Sequence, residues 1–95
     1  MFVNMLEAST ENIKDETSVL FLKGFNYKGI SVSSKPYGFF ISFPNEMTDF
    51  DELRKDAAIP SDLVDLIEYA AKHEAYYINL DTDAKPVTEL PTYGW

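Results

Sequence analysis

The side chains with the most chemical potential in this chain are its carboxylates, one histidine and a short aromatic run. Asp81-x-Asp83 opens like a calcium loop, in which alternating oxygens wrap a hard cation. Such a loop needs Asp or Asn at its fifth position, Gly at its sixth and Glu at its twelfth. Those places hold Lys85, Pro86 and Thr92, and Lys85 would set a cation among the ligands. Turn-forming aspartates are therefore the expectation. His73 is the only histidine. A catalytic base needs a nucleophile or a metal to act on. The chain has no second His for zinc, no Cys, no G-x-S-x-G and no glycine-rich phosphate loop. At the end of a helical segment, His73 is instead suited to the exposed carbonyls there. Lys35-Pro36-Tyr37-Gly38-Phe39-Phe40 partly matches an aromatic RNA-binding strand, K/R-G-F/Y-G/A-F-V. Pro36 replaces the first Gly and Ser42 the last aromatic, so core aromatics and a turn are the simpler account.

The densest ionisable group is Asp49, Asp51, Glu52, Asp56, Asp62, Asp65 and Glu68, spread over two helical segments. Paired carboxylates can cleave glycosides when they flank a sugar groove. A chain of 95 residues leaves little room for one. Solvated helix faces are the bland reading of these seven acids, and a docking surface for a basic partner is the functional one. No catalytic, cofactor-binding or metal-ligating residue is assigned, no cofactor is expected, and the chain is read as a non-enzyme.

Charge carries the same message. Sixteen acids face eight bases, a formal net charge of −8. Residues 1–37 hold four acids and four lysines, whereas residues 38–95 hold the other twelve acids and only Arg54, Lys55, Lys72 and Lys85. A surface of that kind repels nucleic acid and anionic membrane and attracts basic surfaces. Without cysteine there is no disulfide, thiolate nucleophile or Cys-ligated zinc. Neither a secretory leader nor a run of ~18–20 apolar residues is visible, so a cytoplasmic protein with no membrane contact is expected. At 45% hydrophobic residues, 95 positions make a single domain, residues 1–95, with one modest core.

The positioning elements are clearest between Ile59 and Asp81. Leu63, Leu66, Ile67 and Ala70 fall at i, i+3, i+4 and i+7, widened by Val64 and Ala71. Asp62, Asp65, Glu68 and Lys72 are expected on the outer face. Pro60 is placed at or near the first helical position, with Ser61 or Ile59 as the cap. Tyr76-Tyr77-Ile78-Asn79-Leu80 follows as a strand, with Tyr76, Ile78 and Leu80 on one face. Asp81 to Ala84 reads as a turn, and Val87 to Leu90 as a short edge strand. Earlier in the chain, Phe2 to Leu6 reads as a strand and Ser9, Thr10 and Asn12 as turn and capping residues. A helix is expected from Asp15 to Leu22, apolar through Val19, Leu20 and Leu22 and stopped by Gly24. Asn26 to Ser34 is a weak strand interrupted by Gly29. Pro36-Tyr37-Gly38 turns it into a hairpin with Phe39 to Phe43. Thr48 caps a short acidic helix from Asp49 to about Ala57. The predicted class is α+β: an antiparallel or mixed sheet of three to five strands, helices on one face, order β-α-β-β-α-α-β with a final optional β.

Ile59-Pro60-Ser61-Asp62-Leu63, Tyr77-Ile78-Asn79-Leu80-Asp81-Thr82-Asp83 and the closing Leu90-Pro91-Thr92-Tyr93-Gly94-Trp95 resemble a bacterial family of small proteins ending in L-P-T-Y-x-W. Met5-Leu6-Glu7-Ala8-Ser9-Thr10 and Tyr37-Gly38-Phe39-Phe40-Ile41 are similar to its opening strand and central aromatic strand. The family is a domain of unknown function borne on plasmids, integrative elements and phages. Gly94 stands where its members usually have an acid, and Ala84 where Gly is frequent. The resemblance implies a mobile-element setting and transfers no catalytic residue. With the acidic surface, it leads to an expected role as a non-enzymatic inhibitor or adaptor. Its partner would be a protein with a basic surface, such as a CRISPR effector or a restriction nuclease, as an anti-CRISPR or anti-restriction protein engages. The alternative is a structural or regulatory interaction module, homodimeric through a sheet edge or the aromatic tail.

Overall fold

The computed structural model describes residues 4–44 and 49–93. In chain order it contains β1 (Met5–Ser9), a 3-10 turn (Thr10–Asn12), α1 (Asp15–Leu22), β2 (Phe25–Tyr27), β3 (Ile30–Lys35), β4 (Gly38–Ser42), α2 (Phe50–Lys55), α3 (Ser61–Lys72) and β5 (Tyr77–Asp81). The class is α+β. One mixed sheet runs in the order β1-β5-β4-β3-β2, with β1 parallel to β5 and the other pairs antiparallel.

Strand alternation sorts the sheet into two faces. Ala8, Ile30, Val32, Phe39, Ile41, Ile78 and Leu80 point to the buried side, where α1 and α3 pack. Phe21 of α1 meets Phe25 and Phe39 edge-on, with centroids 6.1 and 5.3 Å apart. Leu63, Val64, Leu66, Ile67 and Ala70 of α3 are fully buried, as their spacing predicts. Burying Leu66 or Ile67 stabilises the fold by ~1.5–3 kcal/mol each.

Several expectations shift. The first strand spans Met5–Ser9 rather than Phe2 to Leu6, because its register follows β5 from Met5 opposite Tyr77 to Ser9 opposite Asp81. Phe2 and Val3 lie outside the described residues. Asn26 to Ser34 is two strands, not one. Lys28 (φ 54°) and Gly29 (φ 83°) form a two-residue hairpin turn between Tyr27 and Ile30, whose twist requires positive φ at both positions. The glycine that weakened the strand pattern is the turn itself. The predicted Pro36-Tyr37 turn is present, joining Lys35 to its partner Gly38. Thr48 lies outside the described residues. Asp49 caps α2, accepting the Glu52 N–H at 3.0 Å. That helix stops at Lys55, because Asp56 is extended and its carboxylate accepts the Ala58 N–H. Pro60 is itself the N-cap of α3, with no side-chain cap bond. Ala84 keeps negative φ, since the positive-φ residues other than glycine are Lys28, Tyr37 and Glu74 among those described. Gly94 lies outside them.

Two larger corrections concern α1 and the C-terminal segment. The bounds of α1 are as predicted, and Gly24 (φ 93°) follows its C-cap. Of the expected apolar side only Leu20 packs, half-buried, against the core; the buried residues are Thr17, Ser18 and Phe21, while Val19 is 46% and Leu22 69% exposed. Val87 to Leu90 forms a turn rather than an edge strand. The Asn12 side chain takes both polar groups of Val87, accepting its N–H at 2.9 Å and donating to its carbonyl at 3.3 Å. Asn12 also donates to the Pro91 carbonyl, and the Tyr93 N–H reaches the Glu11 carbonyl. Residues 87–93 are thereby strapped across the start of the chain.

Candidate functional site

The seven acids of the sequence argument do not form one uniform surface. Asp62 is 2% exposed and faces inward, contrary to the expected outer position. One of its carboxylate oxygens accepts the Lys14 N–H at 2.8 Å and the other accepts the Thr17 hydroxyl at 3.0 Å. Lys14 is the N-cap of α1 and offers no side-chain cap of its own. Asp62 supplies one from α3, placing a carboxylate at the positive end of α1. It belongs to the framework and is removed from the docking surface.

Asp56 is also committed. It lies 2.8 Å from the Lys28 ammonium and accepts the Tyr27 hydroxyl at 3.0 Å. The Lys28 bond, the Ala58 N–H and the Tyr27 hydroxyl hold its carboxyl down at about 2. Asp49 is occupied as the α2 cap. Asp65 and Glu68, one turn apart on α3, share a single nitrogen of Arg54, each at 2.8 Å. Their hydrogen bonds raise the Arg54 pKa above its ordinary value. Arg54 thus clips α2 to α3 while leaving one negative charge in excess at that point. Asp51 and Glu52 are exposed and carry no side-chain hydrogen bond or ion pair among the described residues.

Asp65 and Glu68 also form one wall of an open groove of about 460 Å³ between α3 and the C-terminal strap. Glu89 stands on the other side and accepts the Tyr69 hydroxyl at 3.1 Å. Desolvation, then the Glu89 bond, raises the Tyr69 pKa. The Tyr69 and His73 rings lie 4.4 Å apart, and His73 Nδ1 is 2.8 Å from the Tyr69 carbonyl. His73 is the C-cap of α3, the helix-end role its position predicts. Glu89 and Tyr69 were not singled out by sequence. Their meeting depends on the strap, which is set by Asn12, 75 residues from Val87.

The remaining motifs resolve locally. Asp81 accepts the Asp83 N–H at 2.8 Å, a turn of the Asx kind. Among the described residues, no group of three or more His, Cys, Asp or Glu side chains could hold a metal ion. In the aromatic run, Phe39 is core, whereas Phe40 sits on the outer sheet face, stacked on Tyr77 at 5.8 Å. Lys35 lies 3.6 Å from Asp81. No helix of the described residues is long and apolar enough to cross a membrane.

Comparison with known proteins gives one match. Residues 5–95 match the family described as "Family of unknown function (DUF5983) C-terminal domain", and the chain belongs to that family. No curated protein and no solved structure matches it.

Proposed function

For a member of a family without an assigned activity, we propose a non-catalytic binding role. The chain docks onto a basic protein surface through the acidic side formed by α2, α3 and the strap. The carrying observation is the exposed carboxylate excess there. Residues 49–72 hold seven acids against three bases, and removing buried Asp62 still leaves the balance negative. Asp51 and Glu52 are uncommitted, and Asp65, Glu68 and Glu89 line one groove. A mobile-element setting, as the C-terminal signature implies, makes the partner the basic nucleic-acid channel of a defence nuclease, a CRISPR effector or a restriction enzyme. The protein then acts as an inhibitor or adaptor in the cytoplasm and does not bind nucleic acid directly.

Salt titration tests this reading. Pull-down against purified effector and restriction complexes is run at ~0.1 M and ~1 M salt, between which the screening length falls from ~10 to ~3 Å. Capture lost at high salt is the expected result. No capture, or capture indifferent to salt, rejects it. The alternative reading, a self-associating interaction module, is favoured by the outer sheet face, where Tyr77 is exposed and stacks on Phe40. Light scattering separates the two, since a strict monomer removes the alternative.

A further inference from the structure

The end of the molecule formed by α1 and the β3–β4 turn breaks the ordinary rules of burial. α1 turns two hydroxyl residues, Thr17 and Ser18, inward and leaves Val19 and Leu22 in solvent. Beside it, Tyr37 holds φ at 66° with its side chain 75% exposed. Left-handed backbone is costly for a bulky residue, and the second central position of such a turn ordinarily takes Gly or Asn. Nothing among the described residues requires a tyrosine there. The turn is tied down by the Tyr37 backbone carbonyl, which accepts the Thr82 N–H at 2.9 Å. Any residue supplies that bond. Strain retained at an exposed aromatic points to contact with something outside the chain.

Leu22 and Tyr37, the two most exposed large apolar side chains among the described residues, line one cleft of about 230 Å³, with buried Phe39 also in its wall. Lys35 is the one charged residue lining it. Its pairing with Asp81, at 3.6 Å, is long. No carboxylate lines the cleft, in contrast to the groove beside α3. We infer that this cleft is a second docking site, which accepts a single large apolar side chain of a protein partner carrying a carboxylate beside it. The apolar group fills the space between Leu22 and Tyr37, and the carboxylate pairs with Lys35. The site selects partner chemistry opposite in charge to that of the acidic side, and it stands or falls independently of the proposed function.

The test uses the full chain and two defined probes, N-acetylphenylalanine and its uncharged amide, followed by ¹H–¹⁵N NMR. Saturable shifts centred on Leu22, Phe39 and Thr82 are expected, with the carboxylate probe binding about 2- to 5-fold tighter than the amide. Lys35→Gln removes that preference. Tyr37→Gly relieves the strained backbone, so it raises Tm while abolishing binding, and Leu22→Ser weakens binding at unchanged Tm. Absent or scattered shifts, equal affinity for both probes, or a Tm lowered by Tyr37→Gly would overturn the proposal. So would concentration-dependent shifts at these residues without probe, which identify a second copy as the occupant.

Discussion

α1 and α3 pack on the same face of the same sheet, yet they are opposite in design. α3 buries its aliphatic stripe completely and turns Asp65, Glu68 and Lys72 outward. α1 buries Thr17 and Ser18 and shows Val19 and Leu22 to solvent. The inversion works because each buried hydroxyl is bonded: Thr17 to Asp62 and Ser18 to the Asp15 carbonyl at 2.6 Å. A buried polar group costs little when its hydrogen bond is made. In α1, pattern alone therefore finds the helix but not which side of it is inside, whereas in α3 it finds both.

The sharpest way to break this comparison is to truncate both helices. Leu66→Ala should destabilise by about 2–5 kcal/mol, since Leu66 is fully buried. The exposed pair Val19→Ser and Leu22→Ser should change stability by no more than about 0.5 kcal/mol each. Urea denaturation of the variants measures both, and a large loss at Leu22 would mean that its side chain is structural. Next in size is the joint between the helices. Asp62→Ala strands the Lys14 N–H and the Thr17 hydroxyl, for an expected loss of about 1–3 kcal/mol, and Asp62→Asn should recover part of it. An Asp62→Ala protein as stable as wild type would remove the cross-helix cap from the account.

The helix ends supply a smaller effect of opposite sign. α1 is followed by Gly24 at φ 93°, whereas α3 is followed by Glu74 at φ 58°. There the Glu74 and Ala75 N–H groups return to the Ala71 and Ala70 carbonyls, a Schellman closure. Glu74→Gly should stabilise by about 1 kcal/mol, read as a rise in Tm, while Gly24→Ala should destabilise by a similar amount. The smallest expected effect is acid-dependent and belongs to neither helix. The Asp56 carboxyl lies at about 2 against an ordinary 3.8, so its contribution is present above about pH 4 and is lost as pH falls through 2. Asp56→Asn should flatten that part of a Tm-against-pH curve; an unchanged curve would show that the Lys28 contact is inactive in solution.

These contrasts also mark what was legible in the sequence. Apart from the Lys28-Gly29 turn that splits Asn26 to Ser34, the strands and helices were readable where neighbours in the chain determine them. Asp15 and Glu16 open α1, Gly24 closes it, and the stripe of α3 repeats every turn. The larger misreadings came where a partner lies far along the chain. Asp62 looked solvated because Thr17 and Lys14 are more than 40 positions away. Val87 to Leu90 looked like a strand because Asn12, which takes the Val87 backbone, is 75 residues distant. The acidic candidate surface was legible as a density of carboxylates, but not its division. Arg54 holds two of them, α2 capping and Lys28 hold two more, and Asp51 and Glu52 remain uncommitted. Glu89 and Tyr69 joined the groove only through the strap.

In the proposed docking role, the exposed carboxylates on α2 and α3, and not buried Asp62, would engage the basic partner. Charge reversal isolates it. Asp51→Lys with Glu52→Lys alters two exposed first-turn residues of α2 that make no side-chain hydrogen bond or ion pair among the described residues, and leaves the Arg54 clip and the Asp62 cap in place. With the effector or restriction complex captured in the salt titration, the double variant should stay folded, with stability lowered by about 0.3–1 kcal/mol for each acid lost from the first turn of α2, and should bind at least about tenfold more weakly at low salt, with a shallower salt dependence. Wild-type affinity and wild-type salt dependence in a folded double variant would contradict the claim.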